Sequence, residues 1–296
     1  MNAEGSERSP FSVGVCVPVW NRPDLFTSCY ASLARQLAGV EATIWIFDNG
    51  SETSTRKLIG DLEDADRRLI KVSLPQNMGI PFVANIFSRM VAQDCTYVGH
   101  RAPSHIMLVD ADIYFKGSIL DMLEILEADE RAAIISGHDS VEHKTLREYR
   151  HSLRGKFVLI KEKAAERGAC LIMRRDVFAA CVPFPHDVPY NVDWQLMTRH
   201  ANSIAARKRK VLALDYVVHM GLYDSTWHPI GVPADQREVD EVNRMLYREG
   251  LLSPSRKSRM ETYCREFNLR STFSDEQLRR TAGSSLEVQQ PSSEPY

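Results

Sequence analysis

A short apolar run that ends on two carboxylates constrains the fold of this chain more than any other feature. Residues 106–109 are four consecutive apolar residues, and Asp110, Ala111 and Asp112 follow them directly. A run this short predicts a strand that is buried on both faces of a parallel sheet. Because ligands of open α/β sheets bind beyond the carboxyl ends of the strands, we expect Asp110 and Asp112 to lie at a functional site.

The spacing of the two carboxylates points to a cation. Residues i and i+2 of an extended segment project to the same side, so Asp110 and Asp112 can face one ligand. Two like charges at close range repel each other unless a cation lies beside them, and hard divalent ions prefer oxygen ligands. We therefore interpret the pair as a metal site that holds a phosphate-bearing substrate. The alternative is a solvated turn after a strand, because D-x-D alone is a weak signal.

The rest of the chain predicts an α/β protein. Apolar runs alternate with helical patterns, which indicates a mainly parallel central sheet flanked by helices. The first half predicts strands at 13–19, 43–47, 69–74, 106–109 and 132–136, and helices beginning near Asp24, Thr55, Phe82 and Ser118. The second half predicts strands at 157–160, 169–173 and 211–218 and helices at 192–199 and 234–248, with charged residues 161–167 between the first two strands.

Composition places limits on domain organisation and location. We expect one domain over residues 1–250 and a C-terminal extension over 251–296, disordered from about residue 281, where Ser, Gln, Pro and Glu dominate. The net charge of −2 gives no general attraction to nucleic acid. No apolar stretch approaches the ~18 residues that a membrane span needs. The six scattered cysteines are typical of reduced thiols, so we expect a cytoplasmic protein with no membrane span.

Polar motifs also follow the other predicted strands. The first strand ends in Pro18-Val19-Trp20-Asn21-Arg22 and the second in Asp48-Asn49-Gly50-Ser51, while Asn77-Met78-Gly79 precedes a helix that carries Asn85. Further on are Gly168-Ala169-Cys170-Leu171 and the helix opening Asp193-Trp194-Gln195-Leu196. In their order along residues 11–222, these motifs resemble those of the family-2 glycosyltransferases, which have the GT-A fold of nucleotide-diphospho-sugar transferases.

The resemblance implies roles for particular residues. The general base is Asp193, and the metal ligands, for Mn2+ or Mg2+, are Asp112, His219 and Asp110. The residues on the side of the nucleotide-sugar donor are Pro18, Val19, Asn21, Arg22, Asp48, Asn77, Gly79, Asn85, Asp110 and Ala111. The implied donor is a UDP-sugar in preference to a GDP-sugar, and the implied reaction is an inverting hexosyl transfer.

Some positions depart from the family pattern. Val192 stands before Asp193 where the family commonly has glutamate, and Gln195 stands where a second carboxylate often follows. These changes bear on contacts with the acceptor and leave the implied base in place. The Gln-x-x-Arg-Trp signature of processive polymerases is absent from the sequence, which favours the addition of a single sugar.

Each singled-out residue also has a purely structural interpretation. Asp193 suits a helix N-cap, and Asp48 suits an Asx-turn ahead of Gly50. His219, after the strand at 211–218, suits a hydrogen-bonded histidine at a strand end. The basic run at 207–210 is typical of a solvated face, and the alternative is contact with a phosphate-rich acceptor.

The leading hypothesis is a metal-dependent inverting glycosyltransferase with a hydroxyl acceptor that is a saccharide, a protein, a lipid or a modified nucleic acid. One alternative is a transferase that glycosylates a modified nucleic-acid base, as in phage DNA. A second is a catalytically decayed protein that only binds a sugar nucleotide. A third, a sugar-nucleotide pyrophosphorylase, would carry a Gly-rich basic loop after the first strand, and residues 18–23 do not have this composition.

Overall fold

The computed structural model describes residues 10–93, 102–139, 144–164, 169–184 and 210–220. The elements all lie in one compact unit, Met1–His219. The strands are β1 (Ser12–Val19), β2 (Glu41–Asn49), β3 (Leu69–Leu74), β4 (His105–Val109), β5 (Ile113–Phe115), β6 (Ala132–Ser136), β7 (Thr145–Leu153), β8 (Lys156–Lys163), β9 (Cys170–Arg174), β10 (Lys210–Ala213) and β11 (Val217–His219). The helices are α1 (Pro23–Gln36), α2 (Thr53–Ala65), α3 (Ile80–Gln93), α4 (Ile119–Ala128) and α5 (Arg175–Cys181).

A nine-stranded sheet in the order β3-β2-β1-β4-β9-β6-β10-β8-β7 forms the centre of the unit. The first four strands in this order pair in parallel. β9 lies antiparallel between β4 and β6, and β10 is parallel to β6. β8 is antiparallel to β10 and to β7. Among these nine strands, β8 and β9 therefore oppose a direction that the other seven share, which confirms the predicted α/β fold with a mainly parallel sheet.

Apolar residues on both faces of the central strands build the core. On one face, Cys16, Trp45 and Ile106 belong to a cluster that includes Phe87 of α3 and Phe178 of α5. The alternate residues of the same strands point to the opposite face and are also fully buried. The central strands therefore read as continuous apolar runs because helices or loops cover both of their faces.

The predicted strand at 211–218 is divided in the structure, and its second part pairs with the unpredicted strand β5. The prediction of a single strand at 211–218 is wrong. The strand β10 ends at Ala213, and β10 and β11 belong to different sheets. The interruption arises because Leu214 donates its backbone N–H to Ser136 O, whereas Val217 donates to Gly137 O. The chain then pairs antiparallel with β5, a three-residue strand that periodicity does not detect.

The region after β6 also differs from the prediction. The short strand expected at 157–160 is the longer strand β8, which forms a hairpin with β7. Its turn residues Arg154 and Gly155 both have positive φ angles, of 47° and 76°, as a two-residue type I′ turn requires. The predicted N-cap of α4 is confirmed, because Ser118 Oγ accepts the backbone N–H of Asp121 at 3.4 Å.

Several predictions fall outside the described residues. These are the helices at 192–199 and 234–248, the boundary at residue 250 and the disorder from about residue 281. Of the basic run at 207–210, Lys210 is described, and its Nζ lies 3.0 Å from Asp129 Oδ2. None of the described helices combines the length and the apolar character needed to cross a bilayer.

We expect Gly50→Ala to destabilise the fold more than Gly39→Ala does. Both glycines have positive φ angles, 75° and 82°, so both substitutions carry backbone strain. At Gly50 the new Cβ would also lie 2.3 Å from Gln76 Cα, whereas at Gly39 it would meet nothing within 4 Å. Chemical denaturation should show that the free energy of unfolding falls by about 1 kcal/mol for Gly39→Ala and by clearly more for Gly50→Ala. Equal decreases for the two variants would show that the loops after β2 and β3, which carry Gly50 and Gln76, do not pack closely.

Candidate active site

A turn between β4 and β5 carries the two carboxylates predicted from the sequence. The backbone N–H of Asp110 donates to Ala169 O at 2.9 Å, which fixes the start of the turn. β11 pairs with β5 so that His219 lies opposite Ile113, and this register places the imidazole beside Asp112. One ligand atom from each of Asp110, Asp112 and His219 lies within 4.8 Å of the other two.

Asp112 occupies the centre of this group. Its Oδ1 lies 3.1 Å from His219 Nε2, and its Oδ2 lies 3.2 Å from Arg22 Nη1. Burial raises the pKa of the Asp112 carboxyl, but its contacts with His219 and Arg22 outweigh burial and hold that pKa below its usual range. Asp112 is therefore a carboxylate at neutral pH, with both oxygens directed at nitrogen donors.

The chemistry of these donors fits a divalent cation. Two carboxylates supply hard oxygen ligands and an imidazole supplies a nitrogen ligand, a set that suits Mn2+ and, through the oxygens, Mg2+. Cys29 lies behind the group, where its Sγ is 3.5 Å from the carbonyl oxygen of Asp110. Burial raises the pKa of the Cys29 thiol, so this sulfur stays protonated and is not a thiolate ligand.

The loop after β1 delivers the Arg22 side chain. Asn21 and Arg22 both adopt left-handed conformations, with φ angles of 58° and 60°. The Asn21 N–H donates to Ser51 Oγ at 3.0 Å, and Asn21 Oδ1 accepts the N–H of Glu52 at 2.7 Å. Consecutive left-handed residues other than glycine are costly and persist where the surroundings fix them. Here they direct the guanidinium of Arg22 to Asp112.

Asp48 lies at the carboxyl end of β2, next to the β1 loop. It is fully buried, and its Oδ1 accepts the N–H of Ser51 at 2.8 Å, the local hydrogen bond expected of a turn aspartate. Its Oδ2 accepts no hydrogen bond from the described residues. Arg56 Nε lies 3.6 Å from that oxygen and compensates its charge. Asp48 therefore keeps one acceptor oxygen for a further donor.

Asn49 joins the β2 and β3 loops, a role that the sequence motif alone does not indicate. Its Nδ2 donates to Asn77 Oδ1 at 2.8 Å, and its Oδ1 accepts the N–H of Met78 at 2.8 Å. Asn77 Oδ1 also accepts the N–H of Gly79 at 3.0 Å. The signal available in the sequence was a second polar residue at a buried strand end. Through these bonds the loops after β1, β2 and β3 form one connected edge of the sheet.

The end of β6 contributes a group that sequence reasoning missed. The ring of His138 lies against that of His219, with centroids 6.1 Å apart in an edge-to-face arrangement. The next residue, Asp139, forms ion pairs with Lys161 and with Lys163, whose Nζ is 2.9 Å from Asp139 Oδ1. Burial raises the pKa of Asp139, and the two lysines lower it further than burial raises it. The detectable signal was a His-Asp pair after a predicted strand of the same sheet.

The other predicted donor-side residues fall in two groups. Val19 O accepts a hydrogen bond from Ser51 Oγ at 3.3 Å, Pro18 lies opposite Phe47 in the sheet, and Ala111 lies in the turn between the carboxylates. Asn85 lies apart from them: its Nδ2 donates to Phe184 O at 2.9 Å, and its Oδ1 accepts the Phe184 N–H at 2.7 Å. These bonds give Asn85 a structural function, and its contact with a nucleotide stays a prediction.

Asp193, the predicted base, lies outside the described residues. The site as described therefore comprises the carboxylate and imidazole group, the Arg22 guanidinium and the connected loops after β1, β2 and β3. This arrangement offers a cation site at one strand end and a buried acceptor at another. Such a pair of features suits a ligand that carries phosphates at one end and a hydrogen-bonding group at the other.

Comparisons with known proteins agree with this architecture. The model of the family described as Glycosyl transferase family 2 matches residues 14–182 of the chain. The crystal structure of S. aureus TarS 1-349 in complex with UDP-GlcNAc has a TM-score of 0.50 and 16% identity, and the match covers 94% of this chain and 76% of that one. No curated protein sequence matches the chain significantly.

A second solved structure gives a weaker match. The mannosyltransferase PcManGT from Pyrobaculum calidifontis, in complex with GDP-Man and Mn2+, has a TM-score of 0.46 and 12% identity. That match covers 94% of this chain and 76% of that one. At 16% identity, the likeness to the S. aureus TarS structure concerns the fold alone.

We expect Asn85→Ala to lower the stability of the protein. The substitution leaves the buried N–H and C=O of Phe184 without the bonds described above, so the free energy of unfolding should fall by about 2 kcal/mol or more. Arg89→Ala, on the exposed side of the same helix, is the control and should change it by less than about 0.5 kcal/mol. Calorimetry with UDP, at a temperature where both variants are folded, separates a structural role of Asn85 from a contact with the nucleotide. A selective loss of UDP affinity without destabilisation would instead place Asn85 at the nucleotide.

Proposed function

Because the chain belongs to glycosyl transferase family 2, it is a glycosyltransferase of the GT-A fold, and we propose that it moves a hexose from a nucleotide-diphosphate donor to a hydroxyl group. The observation that carries this proposal is the group of ligand atoms on Asp110, Asp112 and His219, all within 4.8 Å of one another. It lies at the carboxyl end of a central strand, where ligands of open α/β sheets bind.

The transfer requires that the leaving diphosphate be neutralised. Asp112, Asp110 and His219 are the residues that would hold a divalent ion, Mn2+ or Mg2+. When bound there, the ion supplies Lewis-acid stabilisation of the negative charge that develops on the leaving group. Arg22 adds a permanent positive charge at the same place, since its Nη1 lies 3.2 Å from Asp112 Oδ2. We infer that this guanidinium holds Asp112 in place and lies close to the donor phosphates.

The buried carboxylate of Asp48 is suited to recognising the base of the nucleotide. Its Oδ2 accepts no hydrogen bond from the described residues, and the half-exposed side chain of Arg56 covers it. A carboxylate oxygen accepts one N–H without difficulty, and uracil presents a single N–H on its pairing edge whereas guanine presents two adjacent donors. A UDP-sugar is thus the donor that we propose. The UDP-GlcNAc held by the S. aureus TarS structure supports this choice.

Asp193 is the residue that we propose as general base. It would take the proton of the acceptor hydroxyl as that oxygen attacks the anomeric carbon from the side opposite the diphosphate. One displacement of this kind inverts the configuration at the anomeric carbon. The support for Asp193 comes from its place in the sequence motif at the start of a predicted helix.

We predict that UDP binding depends on a divalent ion held by Asp112 and His219. Calorimetry should show UDP affinity with Mn2+ that falls in EDTA. Asp112→Asn and His219→Gln should each weaken Mn2+-dependent binding by at least about tenfold, because they remove ligands at the centre of the site. Asp61→Asn is the matched control, since it removes an exposed carboxylate on α2 that pairs with Lys57. Equal UDP affinity in Mn2+ and in EDTA would refute the metal dependence.

We also predict that Asp193→Asn impairs turnover far more than donor binding. A general base acts only while the acceptor loses its proton, so kcat should fall by about a hundred- to ten-thousand-fold while UDP affinity stays nearly constant. Asparagine caps a helix about as well as aspartate, so the variant should fold normally. The measurement is UDP release with a panel of hydroxyl acceptors.

The same assay separates the alternatives. UDP release that requires an acceptor identifies a transferase, and tight binding without release under every acceptor identifies a protein that only binds the nucleotide. If the Asp193→Asn variant retained more than roughly a tenth of wild-type turnover, the general base would be another residue. Asp224, five residues after His219, would then be the next residue to test.

A further inference from the structure

The β7–β8 hairpin extends beyond the sheet on the side of the candidate active site. β8 pairs with β10 through Lys161, Glu162 and Lys163, and Lys161 lies opposite Ala213, the last residue of β10. Because β8 is antiparallel to β10, residues 156–160 continue past the carboxyl end of β10. The carboxyl ends of β4 and β6, which carry Asp110 and His138, lie on the same edge. The tip of the hairpin and the site therefore share one edge of the sheet.

Ion pairs hold the tip of the hairpin in place. Arg154 and Lys156 both contact Asp121 in the first turn of α4, with Lys156 Nζ 2.9 Å from Asp121 Oδ2. Arg154 Nε also lies 3.2 Å from Glu124 Oε2. Tyr216 donates its hydroxyl hydrogen to Asp121 Oδ2 at 3.1 Å. The hairpin is thus fixed against the body of the protein, and its outer face has a defined position.

The outer face of the hairpin exposes three apolar side chains. Phe157 is 75% exposed and Leu159 is 47% exposed, and Leu146 on β7 is 57% exposed. Val158 and Ile160, which alternate with the first two, are buried, so the exposure belongs to one face of a well-formed strand. An exposed aromatic and two exposed leucines on one hairpin are typical of a surface that contacts an apolar partner.

The same hairpin is strongly basic. Residues 144–164 contain seven Lys or Arg and two Glu, whereas the whole chain has a net charge of −2. Four of the seven, those at 154, 156, 161 and 163, form ion pairs with carboxylates of the protein. Lys144, Arg147 and Arg150 are exposed, and the described part of the chain places no carboxylate within ion-pair distance of them. Arg150 lies directly opposite Leu159 in the register.

We propose that this outer face binds the surface of an anionic lipid bilayer. Phe157, Leu159 and Leu146 would enter the boundary between headgroups and acyl chains, and the exposed cations Lys144 and Arg150 would contact lipid phosphates. Two copies of the hairpin would repel each other because both are basic. Leucine side chains do not stack on nucleobases, which argues against single-stranded nucleic acid as the partner.

The position of the hairpin gives this binding a consequence. Because the tip shares an edge with the metal-ligand group, a docked protein would present its site to the bilayer. An acceptor carried by that membrane would then lie beside the site. This consequence rests on the proposed function, whereas lipid binding itself does not and is measured without turnover.

Sedimentation with lipid vesicles tests the proposal. The full chain should bind vesicles of phosphatidylcholine with roughly a third phosphatidylglycerol, bind vesicles of phosphatidylcholine alone much more weakly, and dissociate as salt rises. The double variant Phe157→Thr and Leu159→Thr keeps β-branched side chains suited to a strand and should reduce binding by about tenfold or more. The double variant Lys144→Gln and Arg150→Gln should reduce it on the order of twentyfold.

A matched control removes two exposed cations from elsewhere on the protein. Arg67→Gln with Arg89→Gln changes the net charge by the same amount and should leave vesicle binding within about twofold of wild type. Loss of binding in this control, or unchanged binding in both hairpin variants, would overturn the proposal. Preferential binding of single-stranded DNA at the same salt would also overturn the proposal. A dimer that forms without vesicle binding, and that dissociates in the Phe157→Thr, Leu159→Thr variant, would overturn it as well. A loss of UDP binding would bear on the proposed function and leave this result intact.

Discussion

The mutual repulsion of two carboxylates at one strand end is the constraint on which this structure depends. Asp110 and Asp112 are separated by one residue, and each needs positive charge or a cation nearby. For Asp112, the fold supplies two nitrogen donors from distant parts of the chain. Arg22 arrives from the loop after β1, and His219 arrives on β11, so that both nitrogen donors face Asp112 at 3.1–3.2 Å. The pairing of β11 with β5 fixes the register that places His219 beside Asp112.

Rigid support surrounds that electrostatic centre. The loops after the first three strands bind one another through Asn21, Ser51, Asn49 and Asn77, with side-chain oxygens accepting backbone N–H groups. Such bonds fix loop positions before a ligand arrives, which reduces the entropy lost on binding. Gly50 allows two of these loops to approach more closely than a side chain would permit. The polar residues at the strand ends thus serve the architecture of the site as well as its chemistry.

Much of the fold followed from periodicity, and the failures have physical causes. The first four strands of the parallel sheet and the cap at Ser118 were predictable because buried runs and capping residues are local signals. β5 has three residues and β7 is largely exposed, so neither shows an apolar pattern. The interruption between β10 and β11 depends on Ser136 and Gly137, about 75 to 80 residues earlier in the chain. Of the candidate site, the strand-end carboxylates were detectable, whereas the meeting of His138 with His219 required the tertiary structure.

The strand β8 joins the site to the hairpin tip, and its length has a geometric meaning. At one end Lys161 holds Asp139, the neighbour of the histidine that packs on His219. Four residues away along the same face is Phe157, on the order of 13 Å distant at the rise of a β-strand. Because ion pairs restrain both ends, the strand fixes the distance between the exposed Phe157 and the loop that carries Asp139. A surface that contacts Phe157 is therefore held at a set distance from His138, the neighbour of Asp139 in the chain.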